Sequence, residues 1–339
     1  MENDTSYFLD LIRRSHRGRF KIYIGMIAGV GKTYRMLQDA REMLRQGTDV
    51  RIGYVETHGR PDTVKALKGL PVIPRKKVFY KGKEMEEMDL DAILRVHPEI
   101  VIVDELAHSN VEGCRNAKRW QDVMELLNAG IHVLSAVNIQ HIESLNDEVR
   151  QMVGIQVKER IPDCVLQEAD EVVNIDLTAE ELVERLKAGK IYAKDKIQTA
   201  LDHFFNTGNI LQLRELALKE VALRVGKKVA DEVRPQERGV GGVARLVVCV
   251  SSNSETQQHI IRKAARVADM LNAEWIALYV QTSGEQTDRI PLAAQRHLMS
   301  HLELVMQLGG QVQQVVSDNV AQAIADVCRE QHATLLCMG

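Results

Sequence analysis

A short apolar strand that runs into a glycine-rich turn and then a helix is the feature that most constrains this chain. Lys21–Ile24 has the pattern of a buried strand, and Thr33–Leu44 has the spacing of an amphipathic helix. The segment Gly25-Met26-Ile27-Ala28-Gly29-Val30-Gly31-Lys32-Thr33 lies between them. This order is typical of a phosphate-binding loop, because glycines let backbone amides approach phosphate oxygens and the helix N-terminus favours negative charge. The sequence therefore predicts a nucleotide site here.

The loop departs from the usual pattern at one position. A glycine is expected five residues before the glycine of Gly-Lys-Thr, but Met26 stands there and Gly25 lies one residue further back. We expect Lys32 to reach the β and γ phosphates and Thr33 to hold magnesium. A glycine-rich turn with a chance lysine is the alternative. The predicted nucleotide-binding residues are Gly25, Ala28, Gly29, Val30, Gly31, Lys32, Thr33 and Tyr34.

A second motif lies about 70 residues after the loop. Ile100–Val103 is wholly apolar and is followed by Asp104 and Glu105. In nucleoside triphosphatases such an aspartate holds magnesium, and a glutamate directly after it can polarise an attacking water. An ordinary strand end with acidic residues is the alternative. Together the two motifs predict ATP and Mg²⁺ as cofactors, with Thr33 and Asp104 at the magnesium, Glu105 as the catalytic base and no metal other than that of the nucleotide.

Further polar residues follow the acidic pair. Candidates to contact or sense the phosphates are Arg115, Arg119, Asn138, Gln140 and His141, and Ser109 is a candidate phosphoacceptor. Each also has an ordinary structural interpretation as a capping, surface or turn residue.

Composition excludes several function classes. Net charge is −3, which gives no basic excess for nucleic acid, and aromatic residues are only 4 % of the chain. The five cysteines are scattered without CxxC spacing, so neither a zinc site nor a disulfide framework is expected. No apolar run approaches the roughly 18 residues of a membrane span, and the polar N-terminus is no secretory signal, so we expect a cytoplasmic chain.

Strands alternate with helices along most of the chain, which predicts an α/β fold with parallel sheets. We expect a leader helix over 1–19, a nucleotide-binding domain over 20–232 whose part 194–232 is a helical extension, a linker over 233–243 and a second α/β domain over 244–339. Since the last strand runs only to Gly339, we expect the second domain to be truncated and the chain to be part of a longer protein. A natural short form is the alternative.

Five long motifs carry a resemblance to a known family. They are Gly29–Thr33, Gly53–Arg60, Val103–His108, Lys118–Val123 and Asn138–Asp147. In this order they resemble the amino-terminal cytoplasmic region of the KdpD sensor histidine kinases, over about residues 18–232. The family shares the displaced first glycine and often has proline in place of Ala28. The remainder resembles a universal stress protein domain. The resemblance implies a P-loop NTPase-like parallel-sheet domain with a helical extension, followed by a truncated Rossmann-like domain.

The resemblance also implies a function. The region would be the ATP-binding sensory input of a two-component kinase that controls high-affinity potassium uptake, with nucleotide occupancy tuning the kinase or phosphatase output. Its partners would be downstream membrane and histidine kinase domains, and a response regulator or potassium pump subunits, on the cytoplasmic side of a bacterial membrane. An active ATPase or protein-serine kinase, and an interaction scaffold with a relict loop, are the alternatives.

Some family members bind cyclic di-AMP in the second domain. Their pattern is Ser-x-Ser, twenty residues, then Phe-Thr-Ala-x-Tyr. Here Ser252 and Ser254 are followed at the same spacing by Trp275 and Tyr279, while Ile276 lacks the hydroxyl of the pattern. A cyclic di-AMP site is therefore a candidate, with Trp275 stacking on a base. A buried strand preceded by a turn is the alternative.

Overall fold

A computed structural model describes residues 16–154, 156–192, 195, 197–202, 205–233, 244–251, 257–271, 273–285 and 291–338. Residues 1–15 of the leader helix predicted over 1–19, residues 234–243 of the linker predicted over 233–243, Ser252, Ser254 and Gly339 lie outside the described residues. Val233, the first predicted linker residue, is the last residue of a helix. The described chain divides into two compact units. Unit 1 takes the residues up to His141 together with Glu148–Ile161 and Glu168–Val221, and unit 2 takes Ile142–Asp147, Pro162–Gln167 and the residues from Ala222 onward. The predicted domain boundaries do not anticipate the two short segments that belong to unit 2.

Unit 1 is built on a parallel sheet of five strands. These are β1 (Phe20–Gly25), β2 (Val50–Tyr54), β5 (Ile100–Val103), β6 (His132–Asn138) and β7 (Glu171–Asn174), in the order β2-β5-β6-β1-β7. Every pairing in this sheet is parallel, which confirms the predicted α/β class. The apolar run of β5 is buried along its whole length, as expected for a central parallel strand.

Helices connect the strands of this sheet or follow its last strand. They are α1 (Lys32–Arg45), α2 (Pro61–Leu67), α3 (Leu90–Val96), α4 (Arg119–Asn128), α5 (Asn146–Val153), α7 (Ala179–Lys187), α8 (Ile197–Asp202) and α9 (Thr207–Val233). A further helix, α6 (Asp163–Gln167), belongs to unit 2, as do the first residues of α5 and the last turns of α9. The buried face of α1, with Met36, Leu37 and Ala40, packs on strand residues such as Ile52 and Ile102 in one apolar core. This packing fixes the start of α1 against the carboxyl edge of the sheet.

Local signals account for some element ends. Thr178 precedes Glu181 by three residues, a spacing that predicts a capping box at the start of a helix. The structure confirms it, because Thr178 accepts from the backbone amide of Glu181 and the Glu181 side chain accepts from the amide of Thr178. The weak strand expected at Val78–Tyr80 is half of an antiparallel hairpin of β3 (Lys76–Tyr80) and β4 (Lys83–Glu87). The sequence gives little sign of β4, because its residues are mostly charged and exposed.

Unit 2 carries a parallel sheet of four strands. They are β8 (Arg245–Cys249), β9 (Glu274–Gln281), β10 (Gln311–Val316) and β11 (Leu335–Cys337), in the order β10-β9-β8-β11. The helices α10 (Gln257–Leu271), α11 (Leu292–Gln307) and α12 (Val320–Glu330) follow β8, β9 and β10. This alternation of strands and helices agrees with the α/β class predicted for residues 244–339. Arg262 of α10 pairs with Glu143 at 2.8 Å and Asp147 at 3.2 Å, which ties the segment Ile142–Asp147 into this unit.

Within the residues that the structure describes, no helix is both long enough and apolar enough to cross a bilayer.

Candidate functional site

The glycine-rich loop connects β1 to α1 at the carboxyl edge of the sheet. Gly29 and Gly31 adopt φ values of 92° and 106°, a left-handed conformation that glycine adopts at least cost. Gly31 is the N-cap of α1, and no side chain caps the first amides of the helix. These amides are therefore open to an anion. Gly25 ends β1, where a Cβ atom would come within 2.7 Å of Cγ2 of Val30, so the displaced glycine serves the packing of the loop.

Lys32 is buried at the first position of α1. Its Nζ donates to the carbonyl oxygen of Ile27 at 3.1 Å and to Oδ1 of Asn138. Asn138 is in reach because it pairs with Gly25 across β1 and β6. Burial lowers the pKa of Lys32 to about 8, and the carboxylate of Asp104 only partly offsets that effect. The ammonium group is thus held over the loop with little solvent around it.

Thr33 and Asp104 meet although they lie 71 residues apart. The hydroxyl of Thr33 donates to Oδ2 of Asp104 at 2.8 Å, and the backbone amide of Glu105 donates to Oδ1 at 2.9 Å. Asp104 is only 5 % exposed, and burial raises the pKa of its carboxyl group. A hydroxyl and a carboxylate in contact at the start of a loop helix are the oxygen ligands that Mg²⁺ takes from a P-loop protein.

Glu105 lies beside this pair in an uncommon conformation. Its φ is 55°, in the left-handed region that residues other than glycine rarely adopt. Its carboxylate lies 3.3 Å from Nε2 of His58 and 3.7 Å from Nη1 of Arg119. The hydrogen bond from His58 lowers the pKa of Glu105, and the same bond raises the pKa of His58. Glu105 is therefore held ionised at the cleft, where it can accept a proton from water.

These residues line one cleft of about 900 Å³ in unit 1, a size at the upper end for small-molecule sites. From the predicted set, the lining includes Ala28, Gly29, Val30, Gly31, Lys32, Thr33, Tyr34, Asp104, Glu105, Asn138 and His141. His141 binds the carbonyl oxygen of Glu159 through Nδ1 at 2.7 Å, and burial lowers its pKa. Eleven residues proposed from separate motifs thus share one cleft.

Other predicted residues are placed elsewhere. Arg119 is fully buried, donates to Glu87 at 2.9 Å and lies over the ring of Tyr54, so it supports the site from beneath. Arg115 is exposed and pairs with Asp91 and Glu125.

Two more candidates are outside the residues that line the cleft. The hydroxyl of Ser109 accepts from Nζ of Lys118 at 2.6 Å, and within the described part of the chain the buried Oε1 of Gln140 has no hydrogen-bond partner. Position after a strand end did not by itself distinguish Ser109 and Gln140 from the residues that line the cleft. A turn before Ser109 and a short 3-10 helix at Gln140 set the direction of each side chain.

The sequence interpretation missed several basic side chains of the cleft, among them His58, Arg60, Arg185 and Lys190. His58 and Arg60 follow β2, while Arg185 and Lys190 come from the end of α7 and the turn after it. A signal for the first two was present, since Glu56–Arg60 is a polar run directly after a buried strand, as Asp104 and Glu105 are. Arg185 and Lys190 follow no strand, so no local pattern singled them out.

The candidate cyclic di-AMP residues that are described lie within unit 2. Trp275 is 6 % exposed and belongs to the apolar core under α10 and α11, with Gly310 against its ring. Tyr279 is 3 % exposed, and among the described residues its buried hydroxyl has no hydrogen-bond partner. The ring of Trp275 is packed in the core here, and cyclic di-AMP binding stays a prediction from the sequence.

No group of three or more His, Cys, Asp or Glu side chains within the described ranges is arranged to hold a metal ion by itself.

Comparisons with known proteins divide the chain as the motifs do. Residues 16–225 match the family model described as the osmosensitive K⁺ channel His kinase sensor domain, and residues 243–339 match the universal stress protein family. The chain is 41 % identical over 338 residues to the sensor protein KdpD of Escherichia coli, covering 99 % of this chain and 38 % of that protein. It is 42 % identical to a putative sensor protein KdpD of Synechocystis, covering 95 % of this chain and 86 % of that relative.

Solved universal stress proteins align with part of the chain. One from Archaeoglobus fulgidus covers 28 % of this chain and 75 % of its own, at 18 % identity and a TM-score of 0.24. One from Burkholderia pseudomallei covers 29 % of this chain and 83 % of its own, at 22 % identity and the same TM-score of 0.24. The family-model match over most of the chain and the relatives above 40 % identity show that this chain belongs to the KdpD sensor family.

Proposed function

We propose that unit 1 binds ATP with Mg²⁺ and serves as a regulatory input region of a sensor histidine kinase that controls potassium uptake. Nucleotide occupancy then biases the kinase or phosphatase output of the longer protein, because a ligand shifts an equilibrium toward the state it binds better.

The contact between Thr33 and Asp104 is the observation that carries the proposal. Two motifs 71 residues apart meet through a hydroxyl–carboxylate hydrogen bond of 2.8 Å, next to a buried lysine and the open amides of α1. A chance glycine-rich turn would not be expected to bring a magnesium-type ligand pair to the start of the same helix.

The residues present fit the proposed ligand. The amides of Gly29–Thr33 and the ammonium of Lys32 would hold phosphate oxygens, while Thr33 and Asp104 would hold Mg²⁺, which neutralises phosphate charge. The cleft is large enough for a nucleoside triphosphate. To reach a phosphate, Nζ of Lys32 would break its hydrogen bond to Asn138 or to the carbonyl oxygen of Ile27. We therefore expect the loop to adjust on binding.

The regulatory part of the proposal rests on the relatives. The chain spans 38 % of the length of the Escherichia coli relative and 37 % of a Mycobacterium tuberculosis one, both of which are named sensor proteins. We infer that membrane and histidine kinase domains of a longer protein receive the signal, on the cytoplasmic face of a bacterial membrane. A response regulator and potassium pump subunits are further proposed partners.

ATP hydrolysis is a second candidate function, favoured by the geometry of Glu105. Its carboxylate is held by His58 beside Asp104 and lines the cleft, so it can take a proton from an attacking water.

A protein-serine kinase has less support, since the hydroxyl of Ser109 is hydrogen-bonded to Lys118 and does not line the cleft. Cyclic di-AMP binding by unit 2 stays a prediction from the sequence, and the burial of Trp275 counts against it.

Calorimetric titration of the chain with ATP and Mg²⁺ tests the proposal. We expect micromolar binding by the wild type and at least a hundredfold loss in Lys32→Ala, with Asp104→Asn losing the dependence on Mg²⁺. Lys118→Ala is a matched control, since this lysine is outside the cleft lining and should leave the affinity unchanged. Arms with GTP and cyclic di-AMP determine the ligand class. A folded wild type that binds no nucleotide would favour the scaffold function instead.

Turnover is measured in the same preparations. Release of phosphate that is lost in Glu105→Gln supports the enzyme, whereas tight binding with negligible turnover supports the regulatory module.

A further inference from the structure

The turn after β2 brings a second cation to the cleft from outside the loop. Residues Thr57–Arg60 form a tight turn in which the amide of Arg60 donates to the carbonyl oxygen of Thr57 at 2.9 Å. His58 and Gly59 have φ values of 49° and 68°, so both central residues are left-handed, as in a type I′ turn. Pro61 then begins α2. The position of Arg60 is therefore fixed by the turn on one side and the helix on the other.

Arg60 has few of its hydrogen bonds satisfied by the residues that the structure describes. Among them its Nη2 has one long contact, 3.5 Å to the carbonyl oxygen of Ile191, and its buried Nε has no partner. A guanidinium carries five N–H donors, and leaving a buried donor unpaired costs free energy. Burial lowers the pKa of Arg60, yet an arginine stays protonated at any physiological pH. The cleft therefore holds a charged fork with unused donors.

The turn that carries Arg60 indicates where these donors act. It also carries His58, whose Nε2 lies 3.3 Å from the carboxylate of Glu105, and Arg60 lines the same cleft as Lys32 and Asp104. In a P-loop site the lysine reaches the β and γ phosphates, and the acidic pair lies toward the γ phosphate, its Mg²⁺ and the water. A cation on the turn that reaches Glu105 therefore lies toward the γ-phosphate end of the cleft.

Arg185 is a second arginine of the cleft, and its surroundings differ from those of Arg60. It also lines the cleft, but it is exposed and its Nη1 lies 3.4 Å from the carbonyl oxygen of Gly29. It thus contacts the backbone of the loop that surrounds the inner phosphates. Its charge should attract a diphosphate and a triphosphate to a similar degree.

We infer that Arg60 is the residue that distinguishes ATP from ADP in this site, by donating to the γ phosphate. This inference rests on the proposed nucleotide function and deepens it. An ADP complex leaves the donors of Arg60 unused, whereas an ATP complex pairs them with phosphate oxygens in charge-assisted hydrogen bonds. The signalling form of the region is then the ATP-bound form, so the region responds to the ratio of ATP to ADP.

The test is the ratio of two affinities for the whole chain. Competition against a fluorescent nucleotide gives the dissociation constants of ADP and of a non-hydrolysable ATP analogue, both with Mg²⁺, for the wild type, Arg60→Gln and Arg185→Gln. We expect the wild type to bind the ATP analogue more tightly than ADP. Arg60→Gln should reduce that preference at least tenfold while its ADP affinity changes less than threefold. Arg185→Gln should keep the wild-type ratio of the two affinities. Arg60→Lys, which keeps the charge without the fork, should be intermediate.

Each other result overturns a defined claim. A wild type that binds neither nucleotide removes the proposed function and this inference with it. A wild type that binds both equally, or an Arg60→Gln variant whose ratio is unchanged or which loses both nucleotides alike, overturns this inference alone. Thermal unfolding of each variant shows whether it is folded, and Arg60→Lys provides the ratio if Arg60→Gln does not fold.

Discussion

The two units have the same kind of sheet but use its polar residues differently. In unit 1 the carboxyl edge of the sheet gathers Lys32, Asp104 and Glu105 in one cleft, with His58 and Glu105 in left-handed conformations. In unit 2 the aromatic residues that could serve a ligand, Trp275 and Tyr279, are buried in the sheet. A parallel α/β sheet thus supplies an edge on which a site can form. Function depends on which side chains at that edge remain available to bind a ligand.

The largest expected effect concerns the support beneath the unit 1 site. Arg119→Ala removes one partner of Glu87, which is 3 % exposed and keeps its bonds to His108 and to the amide of Val111. Breaking a buried ion pair typically costs about 3–5 kcal/mol, and the remaining partners favour the lower end of that range. Urea unfolding should therefore show a clear loss of stability. Arg115→Ala is the matched control, because its ion pairs are exposed and should contribute less than about 1 kcal/mol. Equal losses in the two variants would show that the buried charges of unit 1 are not what stabilises its site.

The second effect tests whether Trp275 is structural. Trp275→Phe leaves a cavity in the unit 2 core and should cost about 2 kcal/mol, below the 3–5 kcal/mol of a full truncation. Nucleotide affinity in unit 1 should not change. Met270→Ala, at a side chain that is 67 % exposed on α10, is the control and should cost less than about 0.5 kcal/mol. A Trp275→Phe variant of wild-type stability with altered cyclic di-AMP binding would contradict a purely structural role.

The third effect is a pH dependence of ATP affinity, which we expect from Lys32 in unit 1. Lys32 has a pKa of about 8 in the free protein, and phosphate contact favours its charged form, so its pKa rises on binding. ATP affinity is then constant below about pH 8 and falls as pH rises above it, by up to about tenfold per pH unit. Titrations from pH 6.5 to 9.5 measure this fall. In Lys32→Arg, whose charge does not titrate in this range, the fall should be absent. A wild-type affinity that is flat through pH 9 would contradict the assignment.

The smallest effect concerns the pair of His58 and Glu105. His58→Asn keeps a residue that tolerates a positive φ and removes the ion pair, which is partly exposed and should contribute less than about 1 kcal/mol. Since the pair raises the pKa of His58, its stabilisation is present below the unfolded pKa of roughly 6.5 and is lost as pH rises through the higher folded value.

A double-mutant cycle with Glu105→Gln at pH 6 and pH 9 measures this coupling. The coupling should be larger at pH 6. A coupling that grows toward pH 9 would have the wrong sign for an ion pair and would refute it.

Sequence patterns predicted most of the elements and the centre of the site. The phosphate loop, the acidic strand end and the capping box of α7 all depend on residues close together in the chain, so spacing alone reveals them. The hairpin of β3 and β4 was only partly visible, because β4 has charged, exposed residues. Arg185 and Ser109 show the limit for site residues. The first lines the cleft although it follows no strand, and the second does not line it although it lies near the acidic pair.

Parallel α/β sheets and a glycine-rich loop between the first strand and its helix were already evident from the amino-acid sequence, since periodicity and glycine placement act within a few residues. Which distant groups share a cleft depended instead on the tertiary fold. Parallel strands place Asn138 beside Gly25 and Thr33 against Asp104, and a left-handed turn presents His58 to Glu105. Tertiary packing also buried Arg119 and Trp275, because residues from other elements close over them. Burial is a property of those neighbours, and no local pattern encodes them.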